Sequence, residues 1–261
     1  MRTIIVGTDL SARSDRALDR AAHLARQFSA ALHVVHIIDN ELPRSVVDLH
    51  TENISGLLAR QIASGNTFEG IETSTHLLLG DPTARMLEYS EAQSADLVVL
   101  GTHRARGGLD RFGGTTVARI ASRSRVPVLV VADRVLDGYQ KPVVGVDFSE
   151  CSKNAANLAA ALAPDQSLTF VSAYTIPFKT LTTDMNVAGE LSARDIQRAE
   201  AELKAPIKAF EAALSLSQPH EWALVEGGPT LVLERESRRL GADLVCVGPH
   251  ARSWITKAFL G

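Results

Sequence analysis

The sequence predicts an α/β protein made of two tandem domains, and three observations lead to this prediction. Short apolar runs alternate with amphipathic stretches, which is the pattern of strands followed by helices. Several landmarks occur twice and in the same order. The length of 261 residues is also suited to two domains of about 130 residues each.

The internal repeat is visible in three pairs of segments that share spacing and residue type. The pairs are Ile5–Ser14 with Val143–Ser152, Gly80–Thr83 with Gly227–Thr230, and Ala95–His103 with Ala242–His250. We therefore interpret the chain as a tandem duplication, with one domain over residues 1–136 and a second over residues 140–261.

The strands of the first half are predicted from apolar runs rich in Val, Ile and Leu. These runs are Ile4–Thr8, Leu32–Ile38, Thr75–Leu79, Leu97–Leu100 and Val126–Val131. They show no clean polar alternation, which is typical of parallel strands covered on both faces. Helices on both faces of the sheet, joined by right-handed crossovers, follow from this pattern.

The helices between these strands are predicted from apolar residues at helical spacing. One face carries Ala17, Ala21, Leu24, Ala25 and Phe28, and another carries Val47, Ile54, Leu58 and Ile62. Asp81 followed by Pro82 predicts an N-cap and the first residue of a helix.

The second half repeats this plan but is shorter. Its predicted strands are Val143–Val146, Leu168–Tyr174, Trp222–Val225 and Leu244–Val247. A long helix is expected over Glu190–Leu214, with Leu203, Ile207, Phe210 and Leu214 on one face, and Pro206 should kink or split it.

The second half, as given, lacks a last helix and strand. Gly261 corresponds to Gly114, after which the first half continues with Thr115–Val131. Either the natural chain stops early or the sequence is part of a longer one. Since the fourth strand would keep an unpaired edge, we expect a homo-oligomer or a further segment that completes the sheet.

Composition excludes several classes of protein. The formal net charge is −3, which favours neither nucleic acid nor an anionic membrane as a partner. No run approaches the ~18 apolar residues of a membrane span, and the N-terminus lacks a signal-peptide core. The two cysteines, Cys151 and Cys246, indicate a reducing compartment. We expect a cytoplasmic protein.

A candidate anion site lies where the first and fourth strands of the first half end. Ligands of open parallel sheets bind beyond the carboxyl ends of the strands. Asp9 follows the first strand, and the loop Gly101–Gly114 follows the fourth. A helix expected to begin near Thr115 and Thr116 would direct its amide groups and dipole at an anion.

At these residues the chain resembles the universal stress protein family in its tandem form. The likeness depends on the Asp-x-Ser-x-x-Ser pattern of Asp9 and Asp147 and on the repeated Ala-Asp-Leu entry into the fourth strand. The nucleotide-binding branch carries Gly-x2-Gly-x9-Gly-Ser/Thr in the loop. Gly101, Gly114 and Thr115 match it, and Arg104 replaces the second glycine.

The resemblance implies two Rossmann-like domains with sheet order 3-2-1-4-5 and a stress-response role through ATP, with or without Mg²⁺. It places adenine near the end of the second strand, the ribose or a metal near Asp9, and phosphates on the loop. The implied binding residues are Asp9, Ile37, Gly101, His103, Arg104, Gly114, Thr115 and Thr116. No catalytic residue and no metal-ligand set of the protein's own is expected.

Several roles stay open. Asp9 either contacts the ligand or caps the following helix. Arg104 either blocks close backbone approach or binds phosphate. Arginines recur nearby, at positions 104, 106, 111, 119, 123 and 125, and they form a solvated face, a phosphate site or a patch for RNA or an acidic partner.

Three functions compete at this point. The first is a regulatory module that binds ATP in its first domain and acts through unknown protein partners. The second is a nucleotide-free dimerisation or interaction scaffold, motivated by Arg104 and by Ala251, which replaces the same glycine in the second half. The third is slow ATP hydrolysis, which the absence of P-loop and other catalytic motifs makes the weakest.

Overall fold

The computed structural model describes residues 1–38, 44–63, 66–102, 115–134, 137–175 and 201–248. The chain divides between Leu136 and Asp137 into two compact units. Each unit contains one parallel sheet with its own helices.

The first unit holds a five-stranded sheet in which every paired strand is parallel. Its elements are β1 (Thr3–Gly7), α1 (Ala12–Phe28), β2 (Ala31–Ile38), α2 (Arg44–Ala63), a 3₁₀ turn (Asn66–Phe68), β3 (Thr73–Leu79), α3 (Pro82–Ala92), β4 (Leu97–Gly101), α4 (Thr116–Arg123) and β5 (Val128–Val131). The strand order is β3-β2-β1-β4-β5, which confirms the order 3-2-1-4-5.

The second unit holds a four-stranded parallel sheet in the order β8-β7-β6-β9. Its elements are β6 (Pro142–Gly145), α5 (Glu150–Leu162), β7 (Leu168–Tyr174), a helix α6 that covers residues 201–212, β8 (His220–Glu226), α7 (Pro229–Leu240) and β9 (Leu244–Val247). Among the described residues it therefore has fewer elements than the first unit, as expected.

The absence of polar alternation in the central strands has a simple structural reason. Ile4, Ile5 and Val6 of β1 are fully buried although successive side chains point to opposite faces of the sheet. The predicted α1 face is also buried at Ala17, Ala21, Leu24 and Ala25, whereas Phe28 is only half-buried. Helices therefore cover both faces of the first sheet, as predicted.

Two local predictions about proline have different outcomes. The expected start of α3 is confirmed, since Asp81 accepts a hydrogen bond from the Ala84 amide at 2.8 Å and Pro82 is the first helical residue. The expected split at Pro206 is wrong, because α6 continues through that residue. The earlier part of that predicted helix, residues 190–200, lies outside the described residues.

Strand boundaries shift by one or two residues from the predicted ones. β1 ends at Gly7 and β6 at Gly145, so Thr8 and Val146 lie just beyond their strands. The last strand of the first sheet begins at Val128, because Pro127 has no amide hydrogen for the ladder.

The repeated Asp of the Ala-Asp-Leu motif connects the fourth strand to the start of the first strand. Asp96 accepts hydrogen bonds from the amides of Arg2 (2.5 Å) and Thr3 (3.0 Å). Asp243 accepts the corresponding bonds from Gln140 (2.7 Å) and Lys141 (2.9 Å). The motif therefore has a structural role in both halves, at the amino ends of the strands.

Candidate functional site

A cavity of about 240 Å³ lies at the carboxyl ends of β1, β2 and β4 in the first unit. This is the place where the strand order reverses, because β1 pairs with β2 on one side and with β4 on the other. Its lining combines polar residues that follow the strands with apolar side chains of β2, α3 and α4. The lining residues are Gly7, Thr8, Asp9, Ser11, Ser14, Val35, His36, Ile37, Pro82, Met86, Leu100, Gly101, Thr102, Thr116, Val117 and Ile120.

A hydrogen-bond network builds the polar wall between β1 and α1. Ser11 is the N-cap of α1 and forms a capping box with Ser14. The Thr8 hydroxyl donates to the Ser14 hydroxyl at 3.0 Å and accepts from the Leu10 amide at 3.0 Å. Leu10 itself has φ 60°, an uncommon left-handed conformation for a non-glycine residue. The turn is therefore fixed by side-chain hydrogen bonds.

Asp9 belongs to this network but does not cap the helix, so the capping hypothesis for Asp9 is wrong and Ser11 has that role. Its Oδ1 accepts a hydrogen bond from the Ser11 amide at 3.0 Å. Burial acts to raise the pKa of Asp9, but hydrogen bonds from Ser11 and Ser14 outweigh it and hold the pKa below its ordinary value. Asp9 is therefore an exposed carboxylate at the mouth of the cavity.

The wall on the β2 side begins where the first two strands separate. The Thr8 amide donates to the Val35 carbonyl at 2.9 Å, and the Thr8 carbonyl lies 2.9 Å from Nδ1 of His36. The His36 imidazole thus contacts the backbone carbonyl of Thr8, the residue that follows β1. Ile37 follows as an apolar lining residue.

The floor of the cavity depends on a glycine. A Cβ added to Gly7 would lie 2.7 Å from the Leu100 side chain and 2.9 Å from Met86 Cε. Met86 is buried and reaches the floor from α3. The absence of a side chain at Gly7 therefore lets the α3 side chain close the bottom of the cavity.

The β4 side carries the residues predicted to bind phosphate. A Cβ on Gly101 would lie 2.7 Å from the Arg13 carbonyl oxygen, so glycine is required for the close approach of β4 to α1. Thr115 caps α4 by accepting from the Ala118 amide at 3.2 Å, and Thr116 lines the cavity. The first turn of α4 thus lies at the cavity edge.

The structure brings four predicted residues to one cavity: Asp9, Ile37, Gly101 and Thr116. Thr115 adjoins it as the N-cap of α4. His103, Arg104 and Gly114 lie outside the described residues. Sequence reasoning missed His36, Pro82 and Met86; the repeated Gly-x-Pro-Thr landmark was a signal for Pro82, but no motif pointed to the other two.

The second unit repeats the polar turn but surrounds it differently. Asp147 Oδ1 accepts from the Ser149 amide (3.0 Å) and hydroxyl (2.5 Å), and Phe148 has φ 62°, like Leu10. Hydrogen bonds from Ser149 and Ser152 outweigh burial and lower the pKa of Asp147. At the floor, Leu233 replaces Met86 beneath Gly145.

Two features are absent from the part of the chain that the structure describes. No group of three or more His, Cys, Asp or Glu side chains is arranged to hold a metal ion within the described ranges. In the same residues, no helix combines the length and the hydropathy needed to cross a membrane.

Comparisons with known proteins agree with the repeat. A model of the universal stress protein family matches residues 1–132 and again 138–261. A universal stress protein of Mycobacterium tuberculosis is 25% identical over 280 residues, which covers 99% of this chain and 90% of that protein. A universal stress protein of Methanocaldococcus jannaschii is 28% identical over 139 residues, covering 50% of this chain and 81% of the relative.

A solved structure shares the fold across both halves. The crystal structure of a universal stress protein from Archaeoglobus fulgidus superimposes with a TM-score of 0.65 and 16% sequence identity. The match covers 93% of this chain and 85% of that one. The match therefore shows that the solved structure shares the α/β fold of this chain.

Proposed function

The chain belongs to the universal stress protein family, and we propose that its first half binds an adenine nucleotide, ATP, in the cavity beside β1 and β4. We further propose that partner proteins recognise the nucleotide-bound form in a stress response. The observation that supports nucleotide binding best is the cavity itself, because it joins an apolar slot to a polar rim at the switch point of the sheet.

The apolar slot suits a purine base. Val35 and Ile37 line it from β2, and Pro82 and Met86 line it from α3. A flat aromatic ring gains from burial between such surfaces, and methionine adapts its shape to the ring. In the proposed complex the base therefore lies between β2 and α3.

The polar rim suits the ribose and the phosphates. The Asp9 carboxylate can accept hydrogen bonds from ribose hydroxyls at the mouth. Gly101 and Thr102 end β4, and Thr116 begins α4, whose amide groups and dipole favour an anion. Arg104 and Gly114, which lie outside the described residues, remain candidate phosphate ligands on the basis of the motif.

A magnesium ion would accompany ATP without a site made wholly by the protein. Mg²⁺ commonly keeps several waters and binds one or two carboxylates together with substrate phosphates. Among the described lining residues Asp9 is the carboxylate, and its lowered pKa keeps it ionised for that purpose. It can serve the ion or the ribose.

We propose binding rather than catalysis, with slow ATP hydrolysis at most. An efficient general base has a pKa near the working pH. The pKa of Asp9 is lowered, and its Oδ1 already accepts from the Ser11 amide. The Asp9 carboxylate is therefore a weak base, which favours binding over catalysis. The proposed role is that of a regulatory module that acts in the cytoplasm through partners, including a second copy of the chain.

Two measurements test the proposal. Freshly purified protein is denatured and searched for released ATP or ADP by liquid chromatography and mass spectrometry, and calorimetry then measures Mg-ATP affinity. Asp9→Asn should weaken binding by about tenfold, since hydrogen bonds to a charged group contribute about 1.5–3 kcal/mol. Asp147→Asn makes the same change at the matching position of the second half and should leave the affinity unchanged.

The same measurements also decide between the proposed function and the alternative, a nucleotide-free interaction scaffold. No released nucleotide, together with no thermal stabilisation by millimolar Mg-ATP, would overturn the proposal. The chain would then be an interaction scaffold, as the replacements at Arg104 and Ala251 suggest. A gain of ATP affinity in Arg104→Gly would identify that arginine as the obstacle.

A further inference from the structure

Two histidines and a tyrosine form a compact cluster on the face of the first sheet that α3 covers. His33 of β2 and His76 of β3 stack with ring centroids 5.1 Å apart and an interplanar angle of 26°. The Tyr89 ring lies 5.1 Å from His76, and its hydroxyl is 3.0 Å from His33 Nδ1. The Ser74 hydroxyl lies 2.8 Å from His76 Nε2. We refer to His33, His76 and Tyr89 as the histidine cluster.

Among its described residues, the second half has no counterpart of this cluster. In the sheet register, Thr169 occupies the position of His33 and Ala223 that of His76. On the helix, the repeat aligns Tyr89 with Glu236, which is ion-paired with Arg239 at 2.6 Å. Sheet packing therefore does not require imidazole rings at these positions.

The charged groups on the neighbouring elements do little to stabilise a positive charge on His76. On α3, Arg85 pairs with Glu88 at 2.6 Å, and Glu91 lies 3.9 Å from Arg125. On β1, the residue opposite His33 is the apolar Ile5. A further titratable neighbour is Tyr89, whose pKa is raised by burial, so that its hydroxyl stays neutral.

Both effects acting on His76 disfavour its protonated form. Burial lowers the pKa of His76, and the neighbouring His33 lowers it further. A folded-state pKa below the unfolded value means that the stability contribution is present above the unfolded pKa. It is lost as the pH falls below that value, because the unfolded chain then binds more protons.

Helix α3 connects this cluster to the cavity. Tyr89 contacts the histidines from the last turns of α3, and Met86 and Pro82 line the cavity from its first turns. The helix has 11 residues, so both contacts belong to one short rigid element. A change in how Tyr89 packs on the histidines therefore changes the position of the cavity wall.

We propose that the histidine cluster makes ligand binding by the first half sensitive to mild acid, because protonation of His76 within the stack loosens α3 and with it the wall formed by Pro82 and Met86. This inference rests on the proposed nucleotide site. Acidification then releases the nucleotide, and the second half, which has Thr169, Ala223 and Glu236 instead, does not respond.

The test uses the residues of the second half as replacements. Mg-ATP affinity is measured by calorimetry at about pH 7.5 and about pH 5.5, on either side of the histidine pKa. His33→Thr combined with His76→Ala should remove the contribution of the histidine cluster and keep the pH dependence of the nucleotide and of the cavity residues. Between the two pH values the wild-type protein should lose at least about fivefold more affinity than this double mutant, within the usual range of coupled sites. His220→Gln, which removes a histidine from the second half, should behave like the wild type.

A second measurement separates failure of this inference from failure of the proposed function. Hydrogen exchange of the α3 amides in ligand-free protein, corrected for intrinsic rates, should show protection falling with pH in the wild type and not in the double mutant. If ATP does not bind at all, the proposed function fails while exchange still reveals the acid-sensitive helix. Equal pH dependence of α3 protection in the wild type and the double mutant would overturn the inference.

Discussion

The two halves share the turn after their first strand and differ in the walls around it. Both have an Asp that accepts the amide of the N-cap serine, and both place the intervening residue at positive φ. A feature repeated this faithfully serves the start of a helix in each half. The Asp-x-Ser-x-x-Ser pattern therefore has a local folding role in both halves, and a preference of the ligand for one half must come from the surrounding side chains.

The surrounding side chains differ mainly on β2 and α3 and on their counterparts in the second half. His36 and Ile37 of the first half correspond in register to Ser172 and Ala173, and Met86 corresponds to Leu233. These substitutions fall on the cavity lining, not on the shared turn. Nucleotide preference should therefore reside in the first half.

On another part of its sheet the second half uses aromatic rings. Phe210 of α6 packs edge-on against Phe170 of β7, and Trp222 of β8 stacks on Phe148. The Trp222 Nε1 group donates a hydrogen bond to the Glu211 carboxylate at 2.8 Å. This bond lowers the pKa of Glu211 and outweighs burial, which acts to raise it. The core of the second half thus contains aromatic contacts of its own and does not repeat the packing of the first half.

The largest expected difference in stability between the two halves concerns the glycine at the end of the fourth strand of each sheet. Gly101→Ala places a Cβ 2.7 Å from the Arg13 carbonyl oxygen and should destabilise the protein by about 2–3 kcal/mol. Gly248→Ala meets the Cys151 side chain first, at 2.9 Å, and should cost about 1–2 kcal/mol. Urea unfolding measures both. Equal costs would show that the second half packs as rigidly as the first.

A smaller test compares the fourth strands themselves, where Val99 of β4 corresponds to Cys246 of β9. Burial raises the pKa of Cys246 to about 12. In native protein near pH 8 a thiol reagent should label the half-buried Cys151 at least about a hundredfold faster than Cys246, since only the thiolate reacts. The Cys151→Ser protein supplies the control. Fast labelling of Cys246 would show that the β9 side of the sheet opens readily.

The next test concerns Asp96. The hydrogen bond from the Arg2 amide is the main cause of its lowered pKa, with a further bond from Thr3, against the opposing effect of burial. Its contribution to stability is present above the unfolded pKa and is lost as the pH falls through the lower folded pKa. Asp96→Asn should therefore cost about 1 kcal/mol near neutral pH and little in strong acid. Denaturant midpoints across the acid range measure this. A parallel loss at every pH would contradict the linkage.

The smallest expected effect concerns the third helix of each half. Asp81 caps α3 with its side chain, whereas Gly228 at the start of α7 makes no side-chain cap. Gly228 has φ −69° and no atom near an added Cβ, so aspartate fits there. Gly228→Asp should stabilise the second half by a few tenths of a kcal/mol, and Asp81→Gly should destabilise the first by a similar amount. Thermal unfolding distinguishes the two signs.

The sequence was sufficient for the fold because its signals are local or repeated. Apolar strand runs, the Asp81-Pro82 helix start and the duplicated landmarks predicted the order and type of the elements. Capping by Asp9 was one of two roles left open, because serine at position 11 and aspartate at position 9 both suit a helix start, and the structure assigns the cap to Ser11. Pro206 was expected to kink or split a helix, and the helix is not split there.

The site was only partly predictable, because its walls come from distant segments. Ile37 was implied by the family resemblance and Gly101 by its loop motif, but Met86 joins them in the cavity lining only because α3 packs against the sheet. His33, His76 and Tyr89 are separated by 43 and 13 positions along the chain, without a motif to link them. Their meeting depends on strand register, which the sequence pattern does not specify to one residue.

The position of the Asp96 contact has a practical consequence for handling the protein. Asp96 holds the Arg2 and Thr3 amides at the amino ends of the strands, whereas the cavity lies at their carboxyl ends. An affinity tag fused before Met1 therefore emerges at the end of the sheet opposite the cavity. Immobilising the protein through such a tag on a biosensor surface places the attachment point away from the cavity. Surface-based binding measurements can therefore use an N-terminal anchor that does not involve residues of the site under study.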